Sequence, residues 1–278
     1  MSMLLDSRNL IVAVADERID LRAGRLLSKL LASSILRTLP LADLRFLRVV
    51  PPGEERPLFK LDRTGITEVF IAPSTLASAE LAPWDGIHHL PDASAYDWIL
   101  FLGSGSIALR GLDHLLAGDA DVLWAPVIGL TATDRFEYLG DVKHERSEKT
   151  FRSYSRPGRE IAAPCIFAAR GHIFPKLLAE WNGRHKAIER NSQEKKDSFL
   201  KRSWNCVLAE TDHKVMRFEK GEIQFPAVPN SEFLRWYEAA LLNVREWPLE
   251  AQVNFIQALY YGKFFGDPSG LFLEILEP

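Results

Sequence analysis

Cysteine is scarce in this sequence, which excludes one common way of holding a fold together. Only Cys165 and Cys206 occur among the 278 residues. Two cysteines are too few for the disulfide framework of a small secreted domain. We expect each to be a buried thiol. A chain of this length can bury roughly three quarters of its unfolded surface, so a hydrophobic core is sufficient.

Long apolar runs and a strong excess of one charge are also missing. No stretch approaches the ~18 consecutive apolar residues of a membrane span. Acids and two arginines interrupt the first 20 residues, which is not typical of a signal peptide. The chain is therefore predicted to be cytoplasmic. A formal net charge of -3 argues against a general nucleic-acid binder, and 47% hydrophobic residues indicate a globular protein.

Two common kinds of active site have no counterpart in the sequence. None of the seven histidines follows another at the H-x-H or H-x-x-x-H spacing that would predict a zinc site. The G-x-S-x-G motif of serine hydrolases is absent as well. Any chemistry must therefore use other groups.

Short apolar, β-branched runs do occur, and they alternate with helical patterns, such as the apolar stripe formed in part by Leu27, Leu31, Ile35 and Leu39. This alternation predicts a single α/β domain with a mostly parallel central sheet flanked by helices. We predict that this domain spans residues 1–230 and that an aromatic-rich helical extension, residues 231–278, packs on it. The strand candidates are residues 10–17, 44–52, 66–73, 97–105, 120–129, 160–170 and 213–221.

The segment "DWILFLGSGSIALRGLDHLL", residues 97–116, has the most informative pattern. An apolar strand ends at Leu102, and four small residues, Gly103 to Ser106, follow it directly. In open α/β sheets, ligands bind beyond the carboxyl ends of the strands. The glycines could let a ligand approach the backbone, or they could serve a tight turn that needs positive φ. We expect this loop to form the floor of the main cleft.

This segment resembles the central segment of GT-A fold glycosyltransferases, especially the family-8-like retaining enzymes. In that family the strand ends in an Asp-x-Asp motif, followed by Thr or Ser, an apolar run and often an Arg. Ser106 and Arg110 fit the pattern, whereas Gly103 and Gly105 occupy the two Asp positions. Further weak matches follow in the family's order over residues 8 to 226.

The resemblance implies a nucleotide-sugar donor, an unknown acceptor and a set of substrate-binding residues. Residues around Asp16 and Arg18 would face the nucleotide base. The loop after the central strand and the acceptor side would supply the remaining contacts. The full set is Asp16, Arg18, Gly103, Ser104, Gly105, Ser106, Arg110, Lys143, His144 and Asn205.

The missing carboxylates change the chemistry that the resemblance implies. Hard divalent cations prefer oxygen ligands, and the loop has no acid, so we predict no metal there. Serine hydroxyls and loop amides could cradle a phosphate. Basic side chains would then meet the charge on the leaving group. The candidates are Arg110, Lys143, Arg146, Lys201, Arg202 and Lys263.

The missing carboxylates also predict how nucleotide binding depends on metal. Nucleotide binding should be insensitive to chelator, and replacing Gly103 and Gly105 with Asp should create an oxygen site. If binding does require metal, Asp16, Asp92 and Asp141 are the first acids to consider.

Two other interpretations stay open. The chain could be a non-catalytic binding or scaffold protein that keeps the fold, or an unrelated doubly wound α/β enzyme.

Overall fold

The secondary structure follows the predicted alternation of strands and helices. A computed structural model describes residues 8–18, 21–38, 42–58, 66–71, 92–127, 161–191, 197–219, 221–225, 239–245, 247–248, 250–252 and 254–255. The strands are β1 (Asn9–Asp16), β2 (Asp43–Val49), β3 (Ile66–Ile71), β4 (Trp98–Leu102), β5 (Ser106–Ala108), β6 (Val122–Val127), β7 (Ile161–Arg170), β8 (Val215–Arg217), β9 (Ile223–Gln224) and β10 (Leu241–Asn243). The helices are α1 (Leu21–Thr38), α2 (Phe174–Asn191) and α3 (Asp197–Glu210), with 3₁₀ turns at Ala93–Ala95 and Asp113–Leu116.

Seven strands form one mixed sheet in the order β3-β2-β1-β4-β7-β6-β8. Pairing is parallel between β1 and β2, β2 and β3, and β6 and β8, whereas β6 and β7 are antiparallel. The predicted fold class, an α/β domain with a mostly parallel central sheet, is confirmed. β5, β10 and β9 form a second, three-stranded sheet.

The contacts divide the chain into two compact units, which we describe separately. The first comprises residues 1–7, 76–101 and 118–220, and the second comprises residues 8–75, 102–117 and 221–278. We call them the β7 unit and the β1 unit. The predicted domain boundary after residue 230 falls outside the described residues and stays a prediction.

In the β1 unit, helix α1 lies directly against the strand that precedes it. Leu31 and Ile35 of its predicted apolar stripe are buried. Gly24 allows this close approach, because an added Cβ would lie 2.7 Å from the Cα of Glu17. On the same helix, the Ser34 hydroxyl accepts a hydrogen bond from the backbone N–H of Ala108 at 3.1 Å. Helix α1 is therefore fixed to both β1 and β5.

In the β7 unit, aromatic side chains pack strand β7 against helices α2 and α3. The Phe167 ring lies 5.7 Å from Trp181 and 4.6 Å from Trp204, between ring centroids. Both tryptophans are fully buried, as expected of core residues. Cys206 is buried too, but Cys165 is only half-buried, so the expectation for that thiol was wrong.

Three short strands, β5, β9 and β10, were not predicted from the sequence. The chain after the Gly103–Ser106 loop forms β5 before its 3₁₀ turn, and residues predicted as helical extension form β10. These two strands pair antiparallel, with Leu242 opposite Ile107. A three-residue strand is too short to show an alternating pattern, and only its tertiary partner stabilises it.

Candidate functional site

The loop after β4 is a tight turn, and one of its glycines is required by the backbone. The backbone N–H of Ser106 donates to the carbonyl of Gly103 at 3.3 Å. Gly105 has φ +80°, and an added Cβ would lie 2.8 Å from the backbone nitrogen of Arg245. Gly105 therefore serves the turn and a close backbone contact, the second of the two roles considered for it. An Asp side chain at this position would meet the backbone of Arg245, which argues against the oxygen site expected there. That site stays a prediction.

Residues near the C-terminus hold the loop in place. The Asn243 amide Nδ2 donates to the carbonyl of Ser104 at 3.1 Å and to the hydroxyl of Ser106 at 3.0 Å. The backbone N–H of Val244 donates to the carbonyl of Gly105 at 3.0 Å. Three of the loop's polar groups are thus bound by β10 and the residue after it.

The loop lines a pocket of the β1 unit. Its walls come from the carboxyl end of β1, the first half of α1, the loop itself and Gln252, and they surround about 360 Å³ of space that is partly open to solvent. The polar residues of the lining are Asp16, Ser28, Ser104, Ser106 and Gln252, and the apolar ones are Val14, Ala15, Leu27, Leu31 and Ile107.

The carboxylate in this pocket already has a cationic partner. Asp16 Oδ1 accepts from the backbone N–H of Arg18 at 3.1 Å and from its Nε at 2.8 Å, and Oδ2 accepts from Nη2 at 2.6 Å. The hydrogen bond to Asp16 raises the pKa of Arg18. The pair is therefore neutral as a whole, and its geometry suits hydrogen bonding to a neutral group better than holding a divalent cation.

A second, buried ion-pair network anchors the end of β1. Arg48 donates through Nε to Glu17 Oε1 at 2.8 Å and through Nη2 to Glu17 Oε2 at 2.9 Å. The Ser28 hydroxyl donates to Glu17 Oε1 at 2.7 Å. Glu68 binds Arg48 Nη1 at 3.3 Å and accepts from the backbone N–H of Leu58. Burial raises the pKa of Glu68. These groups satisfy one another, which makes the network a support for the pocket wall.

The other predicted residues are distributed differently. Arg110 is exposed and donates to both carboxylate oxygens of Glu222 at 2.9 Å. Asn205 is buried in the β7 unit, where it binds the backbone of Ala162. Lys143 and His144 lie outside the described residues. The structure thus brings together Asp16 with its partner Arg18 and the loop residues Ser104, Gly105 and Ser106.

Of the acids considered as alternative metal ligands, the structure describes Asp16 and Asp92. Asp92 is exposed and accepts from the hydroxyl and backbone N–H of Ser94, which hold its pKa below the usual value. Asp141 lies outside the described residues. Among the residues that the structure describes, no group of three or more His, Cys, Asp or Glu side chains could hold a metal ion. No helix in the same residues is long and apolar enough to cross a membrane.

Four residues of the site were missed from the sequence. Ser28 lies on α1, and Asn243, Arg245 and Gln252 lie in the C-terminal region. Ser28 could have been noticed as a polar residue on the apolar face of a helix. The other three belong to no motif, and only the pairing of β10 with β5 brings them to the loop.

Comparison with known proteins agrees with the fold. No family model matches the sequence, and a comparison with curated proteins finds no match. Among solved structures, the fold is similar to those of glycosyltransferases. One similar structure is the galactosyltransferase LgtC in complex with donor and acceptor sugar analogues, with TM-score 0.50 and 12% identity over 90% of this chain and 95% of that one.

A second similar structure is the apo form of the bifunctional glycosyltransferase WbbM. Its TM-score is 0.51 and its identity 12%, over 88% of this chain and 47% of WbbM, so this chain spans about half of that protein's length. At 12% identity, both likenesses concern the fold alone.

Proposed function

We propose that this protein binds a nucleotide-sugar in the pocket of the β1 unit and transfers the sugar to an acceptor without a metal ion at the Gly103–Ser106 loop. The observation that carries the proposal is the lining of the pocket. The end of β1, with Asp16, and the loop after β4, with Ser104, meet in one cavity. Ligands of open α/β sheets bind beyond such strand ends.

The lining favours the neutral part of such a donor. Its apolar residues suit a flat ring, and its serine, glutamine and paired carboxylate groups suit hydroxyl or N–H groups. The diphosphate needs a cation from beside the pocket, because leaving-group charge must be met where it develops.

We assign the diphosphate contact to Arg245 because of its position beside the turn. Its backbone and Cβ lie against Gly105, within 2.9 Å of where a Cβ of that glycine would stand. The backbone N–H of Arg245 donates to Asn243 Oδ1 at 3.3 Å, so the residue is fixed next to the side chain that binds the loop. Phosphate recognition suits arginine, which is always charged and has a planar fork of donors.

A scaffold role is the second candidate function, and a specific observation favours it. The metal-binding acids of the family are replaced by Gly103 and Gly105, and the backbone contact at Gly105 excludes a side chain there. A non-catalytic protein could keep the pocket for binding alone.

A product assay separates the two functions. The protein is incubated with UDP-sugars and GDP-sugars in the presence of EDTA, and free sugar is measured by NMR over hours. A transferase should hydrolyse one donor slowly without an acceptor, and Arg245→Gln should reduce that rate by roughly tenfold or more, the value of one charged hydrogen bond. Binding of a donor with no hydrolysis by the wild type would support the scaffold and contradict the transferase.

A further inference from the structure

The side-chain amide of Gln252 is held in one orientation. Its Nε2 donates to the carbonyl of Trp247 at 2.8 Å and to the carbonyl of Arg245 at 3.2 Å. A carboxamide nitrogen has two hydrogens, so both are used. Because both partners are carbonyl oxygens, which only accept, the positions of the amide nitrogen and oxygen are not interchangeable.

This orientation leaves Oε1 as the acceptor of a residue that lines the pocket. Gln252 is half-buried and lines the pocket beside Ser104, Gly105 and Ser106. Among the residues that the structure describes, no group donates to Oε1. An acceptor held in place by two other hydrogen bonds needs little reorganisation to bind a donor.

Other side chains of the lining add acceptors to the pocket. Asp16 presents carboxylate oxygens, and its Arg18 partner already occupies three of their acceptor positions. Ser104 adds a hydroxyl that can donate or accept. Phosphate oxygens only accept, so Gln252 Oε1 and Asp16 would repel them. A ribose hydroxyl or a base N–H group would be attracted instead.

We propose that Gln252 is a specificity-determining residue whose Oε1 accepts a hydrogen bond from a donor group of the bound nucleoside, either a ribose hydroxyl or a ring N–H. This inference rests on the proposed function, because it assumes a nucleotide in this pocket. Specificity follows from the geometry: a ligand that lacks the donor leaves the oriented Oε1 without a partner, and a buried site discriminates strongly against such a loss.

The test compares two substitutions that affect the amide differently. Gln252→Lys keeps donors for the carbonyls of Arg245 and Trp247 but has no acceptor. Gln252→Met removes donor and acceptor together. Gln224→Lys is the matched control, because Gln224 lies on β9 in the same unit and outside the pocket lining. Dissociation constants for UDP and GDP are measured by calorimetry, and unfolding midpoints by circular dichroism.

We expect Gln252→Lys to weaken nucleotide binding by roughly tenfold, the value of one hydrogen bond. Its unfolding midpoint should stay near that of the wild type, whereas Gln252→Met should lose both affinity and stability. The added positive charge of lysine would by itself favour a diphosphate, so a loss of affinity is evidence for the missing acceptor. Gln224→Lys should bind as the wild type does.

Nucleotide analogues provide the same test on the unaltered protein. The wild type should bind either the 2′,3′-dideoxy form or the form methylated at the ring N–H roughly tenfold more weakly than the parent nucleotide. Loss with the first analogue identifies the ribose hydroxyl as the donor, and loss with the second identifies the base.

Two results would overturn the inference, and only one of them would also contradict the proposed function. If Gln252→Lys binds like the wild type, or if both analogues bind like the parent, Gln252 accepts nothing and the proposed function stands. If the wild type binds neither UDP nor GDP, the proposed function falls and this inference falls with it.

Discussion

Two buried asparagines, one in each unit, make hydrogen bonds to different kinds of partner. Asn205 on α3 donates through Nδ2 to the carbonyls of Ala162 and Lys201, and its Oδ1 accepts from the backbone N–H of Ala162. Every one of these partners is backbone. Asn243 on β10 instead donates to the carbonyl of Ser104 and to the hydroxyl of Ser106, both of which belong to the candidate site.

The difference shows why burial alone does not identify a functional polar residue. Asn205 and Asn243 are 2% and 6% exposed. Asn205 completes the hydrogen bonds of β7, so it supports the fold by satisfying groups that would otherwise be buried unpaired. Asn243 holds a loop that lines a cavity. The identity of the partner, and not the degree of burial, distinguishes the two roles.

The largest expected effect is the loss of stability when Gly105, in the loop that Asn243 holds, is substituted. Gly105→Asp should cost about 3 kcal/mol or more in the free energy of unfolding, from positive φ and overpacking together. The physical reason is the 2.8 Å approach to the backbone nitrogen of Arg245. Chemical denaturation measures the change. Gly111→Asp is the control, because an added Cβ there meets nothing within 4 Å. Equal effects at the two glycines would contradict this account of the loop.

The asparagine pair should separate stability from ligand binding. Asn205→Ala should destabilise the protein by about 2–4 kcal/mol, because the N–H and C=O of Ala162 lose their partner in a buried position. In the protein that remains folded, nucleotide affinity should be unchanged. Urea denaturation and calorimetric titration on the same preparation test both statements.

Asn243→Ala is the counterpart of that substitution. It should cost less stability, about 1–2 kcal/mol, because one neighbour is a loop carbonyl at a half-buried position. Nucleotide affinity should fall by roughly tenfold, since Ser104 and Ser106 lose their support. If Asn205→Ala weakens binding and Asn243→Ala does not, the assignment of roles is reversed.

The smallest expected effect concerns pH and the ion-pair network beneath the pocket. Burial raises the pKa of Glu68 in the folded state, so folding favours its protonated form. This contribution is fully present below the unfolded pKa of about 4.3 and is lost as pH rises through the folded pKa. Glu68→Gln keeps an acceptor for Arg48 and Leu58, but the glutamine side chain does not titrate.

The stability of Glu68→Gln relative to the wild type should therefore improve between pH 4 and pH 7. Unfolding midpoints of both proteins across that range measure it. A relative improvement toward low pH would mean that the Glu68 pKa is lowered by folding, which is the opposite of the expected shift.

The parts of the fold that could be predicted are those with long local patterns. The apolar run 98–102 and the 3.6-residue stripe of α1 identified β4 and the helix, because both signals extend over several residues. The three-residue strands β5 and β10 form because they pair with each other, so no local sequence pattern predicts them.

The candidate site was predicted in part for the same reason. Ser104 and Ser106 follow a recognisable strand, and the rule for open α/β sheets places ligands at such ends. Gln252 lines the pocket and Asn243 binds its loop, and both lie more than 100 residues from that loop in the chain. The sequence does not encode such contacts locally. The role of Gly105 depends on a φ value and a backbone neighbour, which become visible only in three dimensions.

The central claim is that this chain binds a nucleotide-sugar without a metal ion at the Gly103–Ser106 loop. The most direct measurement is a calorimetric titration of the wild-type protein with UDP, UDP-sugars and GDP-sugars, performed once in EDTA and once in Mn²⁺. The account predicts that at least one of these ligands binds, with the same dissociation constant in both buffers. Binding that requires Mn²⁺, or no binding of any ligand in either buffer, would contradict it.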